Sequence, residues 1–177
     1  DKLFEGVSLI GDYSVKIQDQ ILAQGEVLSA KLVVFLLNQK GISAKLADTR
    51  ELIITDSNFG DAQPLDTISK KNIIQIFKEN KDSVLVITGF IGSNAKNETT
   101  TLGRNGSNYT ASLIANYINA EELQNFTHVD GIYTANPELV LDAKKIESLS
   151  YSEANEMANF GANILHAKTI IPLLDKN

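Results

Sequence analysis

The sequence has no cysteine, and positive charges are scarce. Without cysteine the chain can form neither a disulfide framework nor a thiolate nucleophile. Its 16 basic residues against 22 acidic ones give a net charge of -6 at pH 7. Proteins that bind nucleic-acid phosphates or anionic membrane surfaces need a basic face. The composition therefore favours a small-molecule ligand, with neither nucleic acid nor membrane as a partner.

Long hydrophobic runs are also missing. The most apolar run, residues 27–37, is interrupted by Ser29 and Lys31 and is too short to predict a membrane span. No N-terminal signal segment is recognisable, and we therefore expect a cytoplasmic location. With 43% apolar residues over 177 positions, the composition is typical of one globular domain with a sizeable core.

The apolar pattern predicts alternating helices and strands. Predicted helices, of which the first is long and largely buried, cover residues 14–40, 69–78, 107–119, 150–160 and 166–175. Predicted strands cover residues 42–47, 52–55, 83–90 and 122–129, and the unbroken apolar run in 83–90 indicates a strand buried on both faces. Ser150 and Glu153 form a capping box that starts the fourth helix. This order predicts a layered α/β/α fold with a mainly parallel central sheet.

Residues 99–111 form a polar loop with two glycines and one arginine, directly before a predicted helix. Gly103 and Gly106 permit close backbone approaches, and the N-terminus of the helix attracts anions. Arg104 adds a planar fork suited to a carboxylate or phosphate. The loop predicts an anion site, and the alternative is an ordinary surface loop. Because neither a Walker motif nor a dinucleotide motif is present, pattern alone leads no further than an anion or nucleotide site.

Five segments taken together resemble the catalytic domain of aspartokinases, in the amino-acid kinase family. They are residues 24–26, 89–92, 99–111, 129–134 and 160–166. The resemblance extends over nearly the whole chain. Among aspartokinases, the sequence is most similar in style to those fused to homoserine dehydrogenase. It implies an amino-acid kinase fold and transfer of the γ-phosphoryl group of Mg-ATP to the side-chain carboxylate of L-aspartate, in lysine, threonine and methionine synthesis. It also implies ATP and Mg²⁺ as cofactors and a homo-oligomeric full-length protein.

The resemblance assigns roles to individual residues. Glu26 is expected to receive the substrate's α-ammonium group, Arg104 to clamp a substrate carboxylate, and Ser107 and Asn108 to complete the substrate and reaction site. The residues expected to line the nucleotide pocket are Thr127, His128, Gly131, Tyr133 and Asn136. Pattern alone also allows a solvated Glu26, a surface ion pair at Arg104 and a packing role for Tyr133.

Several positions depart from the family's pattern. Asn108 stands where the family usually has aspartate, and an asparagine keeps hydrogen bonds but cannot balance a charge. His128 also replaces an aspartate, while Glu138 and Asn163 stand where cations usually face the ATP phosphates. These departures keep open a catalytically degenerate binding or scaffolding domain. A kinase for glutamate, N-acetylglutamate, carbamate or UMP shares the same fold and is the third alternative.

The family's opening Lys-x-Gly-Gly-Thr strand and its C-terminal regulatory domains have no counterpart in the sequence. We therefore expect residues 1–177 to be a single partial kinase domain. On this interpretation the 177 residues alone have negligible kinase activity.

Overall fold

The computed structural model describes residues 2–11, 13–127, 130–136, 138–159 and 167–176. Contacts divide the chain into two units, Asp1–Thr110 and Ala111–Asn177. The first unit contains α1 (Lys2–Ile10), α2 (Val15–Gln39), β1 (Ala44–Ala47), α3 (Thr49–Leu52), β2 (Ile54–Thr55), α4 (Asp66–Glu79), β3 (Val84–Ile87), β4 (Ile91–Asn94) and β5 (Thr99–Thr101). Helix α5 (Gly106–Ile118) contains the boundary. The second unit continues with β6 (Ile132–Tyr133), β7 (Lys145–Ile146), α6 (Tyr151–Asn159), α7 (Ala167–Ile170) and a 3₁₀ helix (Ile171–Lys176).

The strands of the first unit confirm the predicted α/β class. Strand β1 pairs in parallel with β3, and β2 pairs in parallel with β4. The hairpin of β4 and β5 is antiparallel, with Ile91 opposite Thr101. The sequence pattern predicts a loop from residue 99, which is wrong for Thr99–Thr101, because these residues form β5. The strands of the hairpin are rich in threonine, serine and asparagine, and buried hydroxyl pairs such as Thr55 with Thr100, at 2.8 Å, take the place of apolar alternation.

Strand β3 is more exposed than predicted. Its first residue, Val84, is 49% exposed, so the expectation of a strand buried on both faces was wrong. Within the described part of the chain, β3 pairs with β1 alone. The apolar run correctly indicated a strand, but burial depends on neighbours that the run itself does not specify.

Helix α2 follows the predicted bounds but not the predicted burial. Ser14 caps its start by accepting the Ile17 N–H at 3.4 Å, and Gly41, with φ of 77°, follows its end. Its buried residues are Asp19, Ala23, Val27 and Ala30, whereas Leu28, Leu32 and Phe35 are 58–64% exposed. The buried stripe is therefore made mostly of small side chains, and the large apolar ones lie on other faces of the helix.

By length and composition, α2 could also cross a membrane. This corrects the expectation drawn from the apolar run alone, because the run lies inside a 25-residue helix. A core helix of a soluble protein passes the same test. Here α2 packs against β1 and β5, and its residues Ala23 and Val27 form a core cluster with Ile91, against which Phe90 packs.

The second unit matches the sequence prediction in part. On α5, the predicted inward residues Leu113, Ile114 and Tyr117 are buried. The Ser150 capping box is confirmed, since the Glu153 carboxylate accepts the Ser150 N–H at 2.8 Å and the Ser150 hydroxyl accepts the Glu153 N–H at 3.2 Å.

Two other predictions for the second unit were wrong. Residues 122–127 form no strand, and no sheet in the described part of the chain includes them. The last predicted helix is only α7 followed by the 3₁₀ helix, which contains Pro172; a proline cannot donate the backbone hydrogen bond that an α-helix interior requires. Residues 160–166, including Asn163, lie outside the described residues.

Candidate functional site

A cleft of about 570 Å³ lies in the first unit. It is bounded by α2, by Gly60, by Phe90 and by the segment that joins β5 to α5. The residues that line it are Gln18, Asp19, Leu22, Glu26, Gly60, Phe90, Thr101, Gly103, Arg104, Asn105, Gly106, Ser107 and Asn108. The structure thus brings all the predicted substrate-side residues, Glu26, Arg104, Ser107 and Asn108, to one cleft.

The segment 102–106, here called the arginine loop, is a tight turn that presents Arg104 to solvent. Gly103 and Asn105 both have positive φ, of 75° and 59°, a conformation that glycine and asparagine adopt most easily. The Gly106 N–H donates to the Gly103 carbonyl at 3.0 Å. Leu102, fully buried, anchors the loop and donates its N–H to the Phe90 carbonyl at 2.8 Å.

The start of α5 packs closely against the corner at Gly89 and Phe90. A Cβ on Gly106 would lie 2.7 Å from Phe90 Cδ2, and a Cβ on Gly89 would lie 2.9 Å from Ser107 Cβ. The Phe90 N–H donates to the Thr110 hydroxyl at 3.0 Å, which itself donates to the Gly106 carbonyl at 2.9 Å. These contacts hold the first turn of α5, with its free N–H groups, at the cleft.

Replacing Gly103 by alanine is expected to destabilise the full-length protein by about 1–3 kcal/mol. The new Cβ would combine a positive φ with a steric clash against Asp61 Oδ1. The free energy of unfolding in urea measures this. Gly25→Ala is the matched control, because Gly25 lies inside α2 with open space around its Cβ position. Gly25→Ala should raise the free energy of unfolding by about 0.5–1 kcal/mol. Equal stability of the two variants would contradict the prediction.

Two of the charged side chains that line the cleft, Arg104 and Glu26, are available to a ligand. Within the part of the chain that the structure describes, neither Arg104 nor Glu26 has an ion-pair partner. Glu26 is half-buried and Arg104 is exposed. Burial raises the pKa of neighbouring Tyr109, and the carboxylates of Asp66 and Asp61 add to the increase. Among the described residues, the cleft therefore offers a ligand one cation and one carboxylate without an ion pair, together with the N-terminus of α5.

Asp19 is a site residue that the sequence analysis missed. It is 1% exposed. Its Oδ2 accepts the Gly60 N–H at 2.9 Å and the Thr101 N–H at 3.0 Å, and its Oδ1 accepts the Thr101 hydroxyl at 2.7 Å. One signal could have revealed it, since Asp19 occupies the same helical face as Ala23 and Val27. A carboxylate on a buried stripe requires hydrogen-bond donors.

The second unit places two of the predicted nucleotide residues together. The Tyr133 hydroxyl donates to the Asp130 carboxylate at 3.1 Å, and Lys145 Nζ lies 3.3 Å from the same group. A Cβ on Gly131 would lie 2.5 Å from Lys145 Cε. The hydrogen bond from Tyr133, followed by that from Lys145, holds the pKa of Asp130 below its ordinary value. Gly131 and Tyr133 thus lie beside the ion pair of Asp130 and Lys145.

The remaining nucleotide candidates are placed differently. Asn136 has a local role, because its Oδ1 accepts the Glu138 N–H at 2.9 Å and its carbonyl accepts the N–H groups of Leu139 and Val140. Thr127 lies in the exposed segment before the hairpin of β6 and β7. His128 lies outside the described residues.

Known proteins resemble this chain over almost its whole length. Lysine-sensitive aspartokinase 3 of Escherichia coli is 35% identical over 178 residues, which are 97% of this chain and 40% of that protein. Bifunctional aspartokinase/homoserine dehydrogenase 2 of Arabidopsis thaliana is 34% identical over 99% of this chain and 19% of its own length. The chain therefore spans less than half the length of these relatives.

Solved structures agree with this resemblance. The crystal structure of E. coli aspartokinase III in complex with aspartate and ADP matches with a TM-score of 0.88 and 34% identity, over 98% of this chain and 40% of that one. The resemblance drawn from the sequence is thus confirmed. The model of the amino acid kinase family matches residues 9–177, and this chain belongs to that family.

Proposed function

We propose that the full-length protein is an aspartate kinase, which transfers the γ-phosphoryl group of ATP to the side-chain carboxylate of L-aspartate. The observation that carries this proposal is that Arg104 and Glu26 line one cleft and that neither has an ion-pair partner within the described residues. Aspartate carries two carboxylates and one ammonium group, so these side chains complement it in charge. The similar E. coli aspartokinase III was solved with aspartate and ADP bound.

In this proposal the protein positions the reactants and stabilises charge. An oxygen of the substrate's side-chain carboxylate attacks the γ-phosphorus, and the bond from that phosphorus to the β,γ-bridging oxygen breaks, which releases ADP. The nucleophile is already ionised and needs no general base. Glu26 binds the α-ammonium group and Arg104 holds a carboxylate by a charge-assisted, bidentate contact. Both interactions lower the barrier by orienting the attacking oxygen.

Ser107 and Asn108 are proposed to act at the first turn of α5. Both line the cleft, at a helix N-terminus whose dipole and free N–H groups stabilise negative charge. Because Asn108 is neutral, it donates and accepts hydrogen bonds without repelling an incoming carboxylate. The substitution of the family's usual aspartate thus leaves the cleft suited to an anion.

ATP is proposed to bind near Thr127, His128, Gly131, Tyr133 and Asn136. Lys145 supports this assignment, since it adds a cation beside Gly131. For Mg²⁺, no group of three acidic or histidine side chains within the described residues could hold a metal ion. We therefore assign no protein ligand to the metal, and it is proposed to enter as Mg-ATP, bound through phosphates and water.

The proposal is tested by trapping the acyl phosphate product of the full-length protein with hydroxylamine. We expect the hydroxamate to form only when both Mg-ATP and L-aspartate are present. Glutamate, N-acetylglutamate and UMP serve as competing acceptors, each assayed by ADP release. Absence of product with aspartate would contradict the proposal, and ADP release with one of the other acceptors would identify a different amino acid kinase activity. The 177 residues alone are expected to be inactive in the same assay.

A further inference from the structure

We propose that Asp19 is a positioning residue, which sets the spacing between Arg104 and Glu26 and thereby the affinity for the amino-acid substrate. This inference rests on the proposed function of the cleft. Asp19 is buried, contacts no reacting group in the proposed mechanism, and acts through the backbone that it holds.

Asp19 joins three separate parts of the first unit. Its carboxylate lies on α2 and accepts hydrogen bonds from Gly60, in the segment before α4, and from both the N–H and the hydroxyl of Thr101, at the end of β5. Thr101 is the residue directly before the arginine loop. The hydrogen bonds that Asp19 accepts from Thr101 therefore hold the strand end from which Arg104 is presented.

The hydrogen bond that Asp19 accepts from the Gly60 N–H acts on the other side of the arginine loop. A Cβ on Gly103 would lie 3.3 Å from the Gly60 carbonyl and would clash with Asp61 Oδ1. The segment of Gly60 and Asp61 thus packs directly against the arginine loop. Through the N–H of Gly60 and that of Thr101, one carboxylate holds both the entry to the loop and the segment that supports it.

Glu26 lies on the same helix, seven residues after Asp19. At 1.5 Å per residue, the two positions are about 10 Å apart along the helix axis, on nearly the same face. Since α2 is unbroken from Val15 to Gln39, it holds Glu26 rigidly relative to Asp19. Asp19 therefore links the proposed ammonium acceptor to the proposed carboxylate clamp, and the spacing between them follows from its three hydrogen bonds.

Kinetics of variants of the full-length protein test this inference. Asp19→Ala removes all three hydrogen bonds, and we expect it to raise the KM for aspartate roughly 10- to 100-fold, the effect of misplacing a binding group by about 1 Å. The KM for ATP should not change. Asp19→Asn should recover most of the loss, because its amide oxygen can accept both N–H groups while its NH₂ donates to the Thr101 hydroxyl.

A matched pair of threonines provides the control. Thr101→Val removes only the hydroxyl bond to Asp19, and we expect a KM for aspartate several-fold above that of the wild type. Thr100→Val alters the preceding residue of β5, equally buried, whose hydroxyl pairs with Thr55 instead. This control should leave the KM for aspartate unchanged. If Asp19→Ala does not fold, the comparison of Thr101→Val with Thr100→Val decides the question.

The outcomes separate the inference from the proposed function. A wild-type protein without aspartate-dependent turnover overturns both. Turnover in the wild type, with the KM for aspartate unchanged in the Asp19 and Thr101 variants, overturns the positioning role alone. The positioning role is also overturned if the KM values for aspartate and ATP rise together, because that indicates a general structural role. It is likewise overturned if Asp19→Asn raises the KM for aspartate as much as Asp19→Ala does.

Discussion

Replacing Arg104 by alanine is expected to weaken the binding of L-aspartate to the full-length protein about 100-fold. A charge-assisted contact between a guanidinium and a carboxylate contributes roughly 2–4 kcal/mol when its loss leaves a ligand charge unpaired, and every 1.4 kcal/mol corresponds to a factor of about ten. Because Arg104 has no ion-pair partner within the described residues, its removal breaks no ion pair of the protein there. Stability should therefore change by less than about 0.5 kcal/mol.

Calorimetric titration with L-aspartate measures this effect. Arg104→Lys should fall between the wild type and the alanine variant, since lysine keeps the charge but not the planar fork. Arg50→Ala is the control, because Arg50 is the only other arginine in the sequence. Its guanidinium is bonded to the Asp48 carboxylate, with Nε to Oδ1 at 3.0 Å, and it does not line the cleft. Equal affinity of Arg104→Ala and the wild type for aspartate would remove Arg104 from the proposed site.

Replacing Glu26 by glutamine is expected to lower the affinity for L-aspartate about 10- to 100-fold and to leave the affinity for succinate unchanged or higher. Succinate carries the same two carboxylates but no ammonium group. The loss of the half-buried Glu26 carboxylate therefore weakens the binding of aspartate, which carries the ammonium group, by roughly 1.5–3 kcal/mol. It does not weaken the binding of succinate. The predicted signature is a loss of selectivity between the two ligands.

Competition between aspartate and succinate in the trapping assay reports this selectivity. Glu79→Gln is the control, since Glu79 is an exposed glutamate at the end of α4 and the same change of charge there should leave the ratio of affinities unaltered. An equal loss of affinity for both ligands in Glu26→Gln would show that Glu26 stabilises the cleft rather than binding the ammonium group.

The features that the sequence predicted correctly are those with local causes. The arginine loop and the start of α5 follow from Gly103, Asn105 and Gly106, which permit the backbone angles and close contacts of the turn. The capping box at Ser150 is likewise complete within four residues. Helix α2 was recognised because its apolar spacing is continuous over many turns.

The errors concern burial and strand pairing, which depend on partners remote in sequence. The hairpin of β4 and β5 was missed because its polar side chains are stabilised by buried hydroxyl contacts rather than by apolar alternation. The large apolar side chains of α2 were expected inside, yet close packing against Ile91 selected the stripe of Ala23 and Val27. Helical periodicity alone does not determine which of several apolar stripes faces the core.

By itself, the sequence determined the α/β class, the arginine loop and the family resemblance, because each is carried by short segments whose backbone preferences and residue order are local. The tertiary structure alone decided that Glu26 and Arg104 line the same cleft. It also revealed the hydrogen bonds of Asp19 with Thr101, 82 residues later in the chain. A buried carboxylate is stable only where donors meet it, and those donors come together only when the chain has folded.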